Sequence, residues 1–293
     1  MSLKLFLFWV LLGFSTLSVS CAHAASRLID GAHLGEVPLA SLVAQVQAGD
    51  TLILGENHAS APCQIEQMDI LRALRQKGLK ISVGMEFLEY PTQDLTDQYR
   101  RGFLSEEAFL AAIHWGKGMP FAFYRDQISF PNLAEGTLTL ALNAPRALTS
   151  KVAQKGLDSL DATERALLPP NLVRGNDRYF ERFKDSVGHL PNPDAAERYF
   201  WAQSIWDDTM AWQAAGFLHD HPEQVLVIIV GEFHVQYGGG LPARLRARSP
   251  GRVWTLSQVN TEGMTEPEIQ QALGPSPTDG ARADWLWVFE QKL

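Results

Sequence analysis

Three short stretches concentrate the side chains that could do chemistry. Leu52-Ile53-Leu54 runs into Gly55-Glu56-Asn57-His58, Val83-Gly84-Met85 runs into Glu86, and Ile228-Ile229-Val230 runs into Gly231-Glu232-Phe233-His234. Each is an apolar run that delivers acidic or imidazole groups as soon as it ends. Carboxylates beside imidazoles can hold a divalent cation, activate water, or satisfy one another in a buried hydrogen-bond network. One G-x-x-H string is weak; two that both begin Gly-Glu and both follow an apolar run are more specific. Glu56, His58, Glu86 and His234 are therefore the candidate catalytic set of a hydrolase, with or without a divalent metal, and His58 and His234 are candidate metal ligands. The competing reading makes the same residues a structural network, because buried charges recruit partners for satisfaction alone. Gly55 and Gly231 are expected to let the chain turn sharply off each strand and to leave room beside the polar groups.

A second constellation is Trp115-Gly116-Lys117-Gly118-Met119-Pro120-Phe121-Ala122-Phe123-Tyr124. Aromatic residues spaced by glycines suit a flat apolar cofactor, and a tyrosine oxygen is one of the few side-chain groups that ligate haem iron. Taken alone, the stretch also fits a packed loop. Gly238-Gly239-Gly240 either presents backbone N–H groups to an anion ahead of a helix near Leu241-Pro242 or is a plain turn. It does not match a P-loop. Cys63 reads as a small, partly buried residue. The chain has no G-x-S-x-G elbow, H-E-x-x-H or paired C-x-x-C, so the standard serine and zinc routes are not indicated.

The elements that must position these groups are legible as strand-like runs at Thr51 to Leu54, Ile81 to Met85, Thr137 to Leu142, Val225 to Val230, Val253 to Val259 and Trp285 to Phe289. Several are continuously apolar, as a sheet covered on both faces requires. Leu39, Leu42, Val43 and Val46 keep helical spacing, as do Ile65, Met68, Leu71 and Leu74, with Gly78 placed as a helix cap. Strand, helix, strand in this order predicts parallel crossovers. The fold class is α/β: a mostly parallel sheet flanked by helices, with a smaller helical insertion domain. The insertions span about 92–131 and 147–221. The second carries Tyr199, Phe200, Trp201, Trp206, Trp212 and Phe217, which either pack as core or cover a second surface. Ligands of an open parallel sheet bind beyond the carboxyl ends of its strands, so the three strand ends should converge.

Composition bounds the function. A chain of 293 residues, 46% hydrophobic and 20% charged, suits one large domain or one domain with an insertion. A formal net charge of -8 leaves no excess of Lys and Arg to displace counterions, which argues against a nucleic-acid partner. Lys4 followed by the apolar run Leu5 to Leu17 reads as an export signal within residues 1–24, leaving 25–293 as the mature domain. Ala22-His23-Ala24 would release a soluble periplasmic protein. Val19-Ser20-Cys21, an imperfect lipobox with Ser18 in place of the usual Leu, would leave the chain lipid-anchored through Cys21.

Together these segments resemble the ChaN family of haem-binding lipoproteins, which is distantly similar to the Tiki and erythromycin-esterase group. The matching pieces are Gly55-Glu56-Asn57-His58, Gly84-Met85-Glu86-Phe87, Gln93, Trp115 through Phe121-Ala122-Phe123-Tyr124, and Leu142-Asn143-Ala144. Asp207-Asp208-Thr209-Met210-Ala211 and Gly231-Glu232-Phe233-His234-Val235 through Leu241-Pro242 complete them. The resemblance implies a haem-binding envelope protein that acts in haem or iron acquisition, with haem held between the subunits of a homodimer and outer-membrane uptake components as partners. It implies Tyr124 as the iron ligand, with Trp115, Phe121 and Phe123 around the porphyrin. One departure is that Cys63 and Gln64 stand where relatives often carry histidines. The wider group includes hydrolases, in which Glu56, His58, Glu86 and His234 would activate water.

Overall fold

Seven strands form one sheet: β1 (Arg27–Asp30), β2 (Thr51–Glu56), β3 (Lys80–Glu89), β4 (Thr139–Asn143), β5 (Gln224–Gly231), β6 (Val253–Asn260) and β7 (Trp285–Phe289). They come from a computed structural model that describes residues 26–291 except 117 and 189–191; the expected export signal and Cys21 lie outside the described residues. The order is β1-β7-β6-β2-β5-β3-β4, with β1 antiparallel to β7 and every other pair parallel. The six apolar runs of the sequence are β2 to β7. The strand that escaped notice is β1, whose four residues Arg27-Leu28-Ile29-Asp30 are too few to establish a period; pairing with β7 at the sheet edge holds it.

Alternation within the central strands sends consecutive side chains to opposite faces. Leu52, Leu54, Val225, Val227 and Ile229 pack on one face with Ile70, Leu71 and Leu74 of the helix Ala61–Gln76. Ile53, Leu226, Ile228 and Val230 pack on the other with Met210, Ala214 and Leu245, from the helices Pro193–Asp220 and Leu241–Arg248. Both faces are thus covered by helices, which is why these strands read as unbroken apolar runs. Each such side chain contributes roughly 1.5–3 kcal/mol by leaving water. The helix Ala61–Gln76 ends as expected: Gly78 takes φ +89° and its N–H bonds the Arg75 carbonyl at 2.9 Å.

The region 92–131 contributes the helices Gln93–Arg100, Glu106–Ala112 and Arg125–Ser129 to the first face, while 147–221 includes the 28-residue helix Pro193–Asp220 on the second. Its aromatic residues divide. Phe200 and Phe217 are buried, Trp201, Trp206 and Trp212 are half-buried, and Tyr199 is exposed. Most of that aromatic surface is therefore core packing. Among the described residues, no helix is long and apolar enough to cross a membrane.

Candidate functional site

Strand register brings the three ends together. Glu56 of β2 lies opposite Gly231 of β5, and Ile229 of β5 lies opposite Met85 of β3, so the central strands finish level with one another. Alternation then separates their acids. Glu56 follows Leu52 and Leu54 onto the first face, whereas Glu86, one step after Met85, turns to the second. His58 bridges the divide: a Cβ placed on Gly231 would lie 2.9 Å from the His58 ring and 3.5 Å from Glu86 Oε2. Residues nearly two hundred positions apart thus meet at one sheet edge.

On the first face Glu56 is the hub. Its Oε1 accepts from the Tyr124 hydroxyl at 2.7 Å and lies 3.1 Å from His58 Nδ1, while its Oε2 accepts from Gln67 Nε2 at 2.6 Å. Gln67 in turn accepts from Gln127 Nε2 at 3.0 Å. The chain turns at Ala59, with φ +57°, and the Ala59 N–H donates to the Tyr124 oxygen at 3.1 Å. Tyr124 is fully buried, and burial together with the Glu56 charge pushes its phenol well above the usual tyrosine range. His58 is the open member: its side chain is 40% exposed, and Nε2 has no hydrogen-bond partner among the described residues. Burial opposes a charge on His58, but the Glu56 hydrogen bond and the charges of Glu86 and Glu56 together hold its pKa above the usual imidazole value. Phe87 meets the His58 ring edge-on at 4.9 Å and lies 4.6 Å from the Tyr124 ring.

On the second face His234 lies between two acids. Nδ1 is 2.7 Å from Asp207 Oδ1 and Nε2 is 3.3 Å from Glu86 Oε1, with the ring almost wholly buried. Burial disfavours the imidazolium, but the two carboxylates outweigh it and raise His234 to about 10. Burial likewise works to raise Glu86, yet His234, His58 and the Gly231 N–H, which donates to Oε2 at 2.6 Å, hold it down at about 2. A carboxylate against each ring nitrogen favours the imidazolium, which donates from both. Asp207 also accepts from the Tyr179 hydroxyl at 2.9 Å.

The structure thus brings Glu56, His58, Glu86, His234 and Tyr124 together, the Tyr124 side chain sealed within the first-face core. Phe121 and Tyr124 are buried on the first face, where Trp115 packs edge-on against Phe121 at 5.3 Å and donates its Nε1 to the Met119 carbonyl. Phe123 is half-buried beside them. Glu232 stands apart, bonded to Arg282 at 2.8 Å and to Ser257 at 2.7 Å. The glycines serve space rather than turning: Gly231 has φ -58°, Gly55 is not among the positive-φ residues, and a Cβ on Gly55 would press on Val235 at 3.0 Å. Cys63 is fully buried, more so than expected, and burial pushes its thiol up to about 12. Among the described residues no group of three or more His, Cys, Asp or Glu is placed to hold a metal ion. Sequence reasoning did not assign Asp207, Gln203, Gln67 or Tyr179. The available signal was a pair of acids, Asp207-Asp208, set mid-helix between Ile205-Trp206 and Met210-Ala211, with Gln203 one turn earlier.

Residues 42–245, more than two thirds of the chain, match the family described as haem-binding uptake, Tiki superfamily, ChaN. Among solved structures, ChaN of Campylobacter jejuni, described as binding haem cofacially, aligns at TM-score 0.64 and 16% identity, over 91% of this chain and 97% of that one. The type III effector HopBA1 aligns at TM-score 0.44 and 11% identity, over 93% and 100%. An erythromycin esterase in its open conformation aligns at 0.42 and 10%, over 83% and 76%. No curated protein sequence matches the chain at a significant level.

Proposed function

The chain belongs to the haem-binding uptake family of the Tiki superfamily that includes ChaN, and we propose that it captures haem at the Glu56 side of the strand-end cluster. The observation that carries this reading is the sharing of one carboxylate oxygen, Glu56 Oε1, by the two side chains best suited to iron, His58 and Tyr124. His58 fits the role as it stands: a carboxylate fixes its Nδ1, its side chain is 40% exposed, and its Nε2 has no partner among the described residues, the arrangement common to metal-binding imidazoles. Tyr124 presents no surface, so its oxygen becomes a ligand only after leaving Glu56 and the Ala59 N–H. Glu56, already hydrogen-bonded to that hydroxyl, is positioned to take its proton. Ferric haem, when bound, supplies the charge that stabilises a phenolate. Phe87, Trp115 and Phe123 supply neighbouring apolar surface.

We further propose that two copies of the chain pair over their bound haems, as the cofacial binding of the Campylobacter relative suggests, and that the chain works at the cell envelope after export. The test is a haemin titration of the mature protein followed by absorption and by size-exclusion chromatography. A sharpened Soret band, weakened in both Tyr124→Phe and His58→Ala, with haem-dependent dimerisation, is expected. Spectra of wild type and variants that match free haemin would exclude haem capture.

One feature favours a second reading. His58, held by Glu56 at Nδ1 and 40% exposed, has the form of a general base at the strand ends. A Glu/His-dependent hydrolase would cleave esters or peptides with a rate abolished in His58→Ala. A wild-type protein inert across broad ester and peptide panels would remove this reading.

A further inference from the structure

Behind Asp207 the second-face network ends in an arginine whose charge is only partly matched. Arg244, on the helix Leu241–Arg248, is 5% exposed. Its Nη1 donates to the carbonyls of Gly240 at 2.9 Å and Gly239 at 3.2 Å, and lies 3.9 Å from Asp207 Oδ2. Its Nε and Nη2 are buried with no hydrogen-bond partner among the described residues. These two nitrogens form the guanidinium edge that meets a pair of oxygens side by side, as in bidentate carboxylate and phosphate recognition. A buried donor without an acceptor costs about 1–3 kcal/mol, and more when charged. The open space at this residue is a cavity of about 420 Å³ that Arg244 lines, within the range of small-molecule sites.

The other charges of that cavity are already matched. Arg248 grips Asp208 at 2.9 and 2.8 Å, and Arg174 grips Glu197 at 2.7 and 2.9 Å. Asp208 is thereby neutralised and does not repel an incoming anion. What remains is the unmatched guanidinium edge of Arg244, a residue that shares the cavity wall with Val173, Ala243 and Ala247. Gly239, on the cavity wall, makes room for a second arginine: a Cβ there would fall 2.6 Å from Arg182 Nη2, a buried guanidinium nitrogen with no partner among the described residues.

We propose that this cavity binds a small oxyanion, a carboxylate or phosphate group, held bidentately by Arg244. The site lies on the far side of Asp207 from His234, is separate from the His58 opening, and does not depend on haem binding. Isothermal titration of the mature, haem-free protein with inorganic phosphate and, separately, with propionate distinguishes the two oxyanions. Saturable one-to-one binding of at least one of them is expected, weakened roughly tenfold or more in Arg244→Met, about 1.4 kcal/mol. Because that change also strips a cation from Asp207, Ala247→Phe serves as the second variant. Ala247 is exposed at the cavity wall, so the phenyl ring fills the space while Arg244 and the melting temperature are retained. Loss of binding in Ala247→Phe with an unchanged melt supports the site. Failure of wild type to bind either anion, or undiminished binding in Ala247→Phe, overturns it.

Discussion

Gly55-Glu56-Asn57-His58 and Gly231-Glu232-Phe233-His234 leave neighbouring parallel strands one residue out of step, Glu56 standing opposite Gly231, and their acids and imidazoles reach different ends. In the first string the acid keeps its own histidine: Glu56 holds His58 at 3.1 Å and leaves it 40% exposed. In the second the acid departs to Arg282, and His234 is buried between Glu86 and Asp207, which come from other elements. The one-residue offset and the turn after each strand together set the outcome. Ala59 adopts a left-handed conformation and keeps His58 over the sheet edge, whereas Phe233 stacks on Tyr179 at 5.2 Å beside the buried His234. One copy thus leaves its imidazole open to solvent, and the other locks its imidazole between buried carboxylates. Identical spacing in sequence does not confer identical chemistry.

The sharpest way to break this contrast is to remove each imidazole in turn. His234→Ala leaves Glu86 and Asp207 buried without their cation, and should cost about 3–5 kcal/mol in denaturant unfolding. His58→Ala removes a half-exposed ring and should cost less than about 1 kcal/mol. Equal losses would mean that both strings are structural. Next in size is the pH dependence of stability. The raised pKa of His234 makes its contribution full below about 6.5, the unfolded value, and lost as pH rises toward about 10. The depressed pKa of Glu86 makes its contribution full above about 4.5 and lost as pH falls toward about 2. The stability advantage of wild type over His234→Gln should therefore peak between those unfolded values and shrink in alkali; an advantage that grows above pH 7 would contradict the ion pair.

Gly231→Ala sharpens the comparison at its hinge. The added methyl would sit 2.9 Å from the His58 ring, so the ring must move, with a cost of about 1–3 kcal/mol from overpacking. A shifted His58 imidazole resonance in NMR, with His234 little changed, is expected; an unperturbed His58 would show that the two rings do not share this edge. The smallest effect concerns Cys63, whose buried thiol, pushed up to about 12, should resist aromatic disulfide reagents until the protein unfolds.

Much of this architecture was legible because the strands are buried on both faces. Leu52-Ile53-Leu54 and Val225 through Val230 announce a covered parallel sheet by lacking polar interruptions, and the polar groups that end them announce its functional edge. The partition of that edge was not legible. Glu56 and Glu86 fall on opposite faces through a difference of one residue in where each acid follows its strand, and a period of two converts that single step into a change of side. Tyr124 was legible as a chemical group but not as Glu56's partner, since the contact spans sixty-eight residues across an inserted region. Arg244 alternates with Arg246 and Arg248 and carries no local sign of burial; only tertiary packing against Asp207 and Tyr179 buries it.

The central claim is that Glu56, and not Glu86, organises the side that meets haem. Haemin affinity measured for Glu56→Gln and Glu86→Gln, each first shown to be folded at the titration temperature, tests it directly. The expected result is a loss of tenfold or more, about 1.4 kcal/mol, in Glu56→Gln and a change within about threefold in Glu86→Gln. Equal affinity in Glu56→Gln and wild type, or a greater loss in Glu86→Gln, would contradict the account.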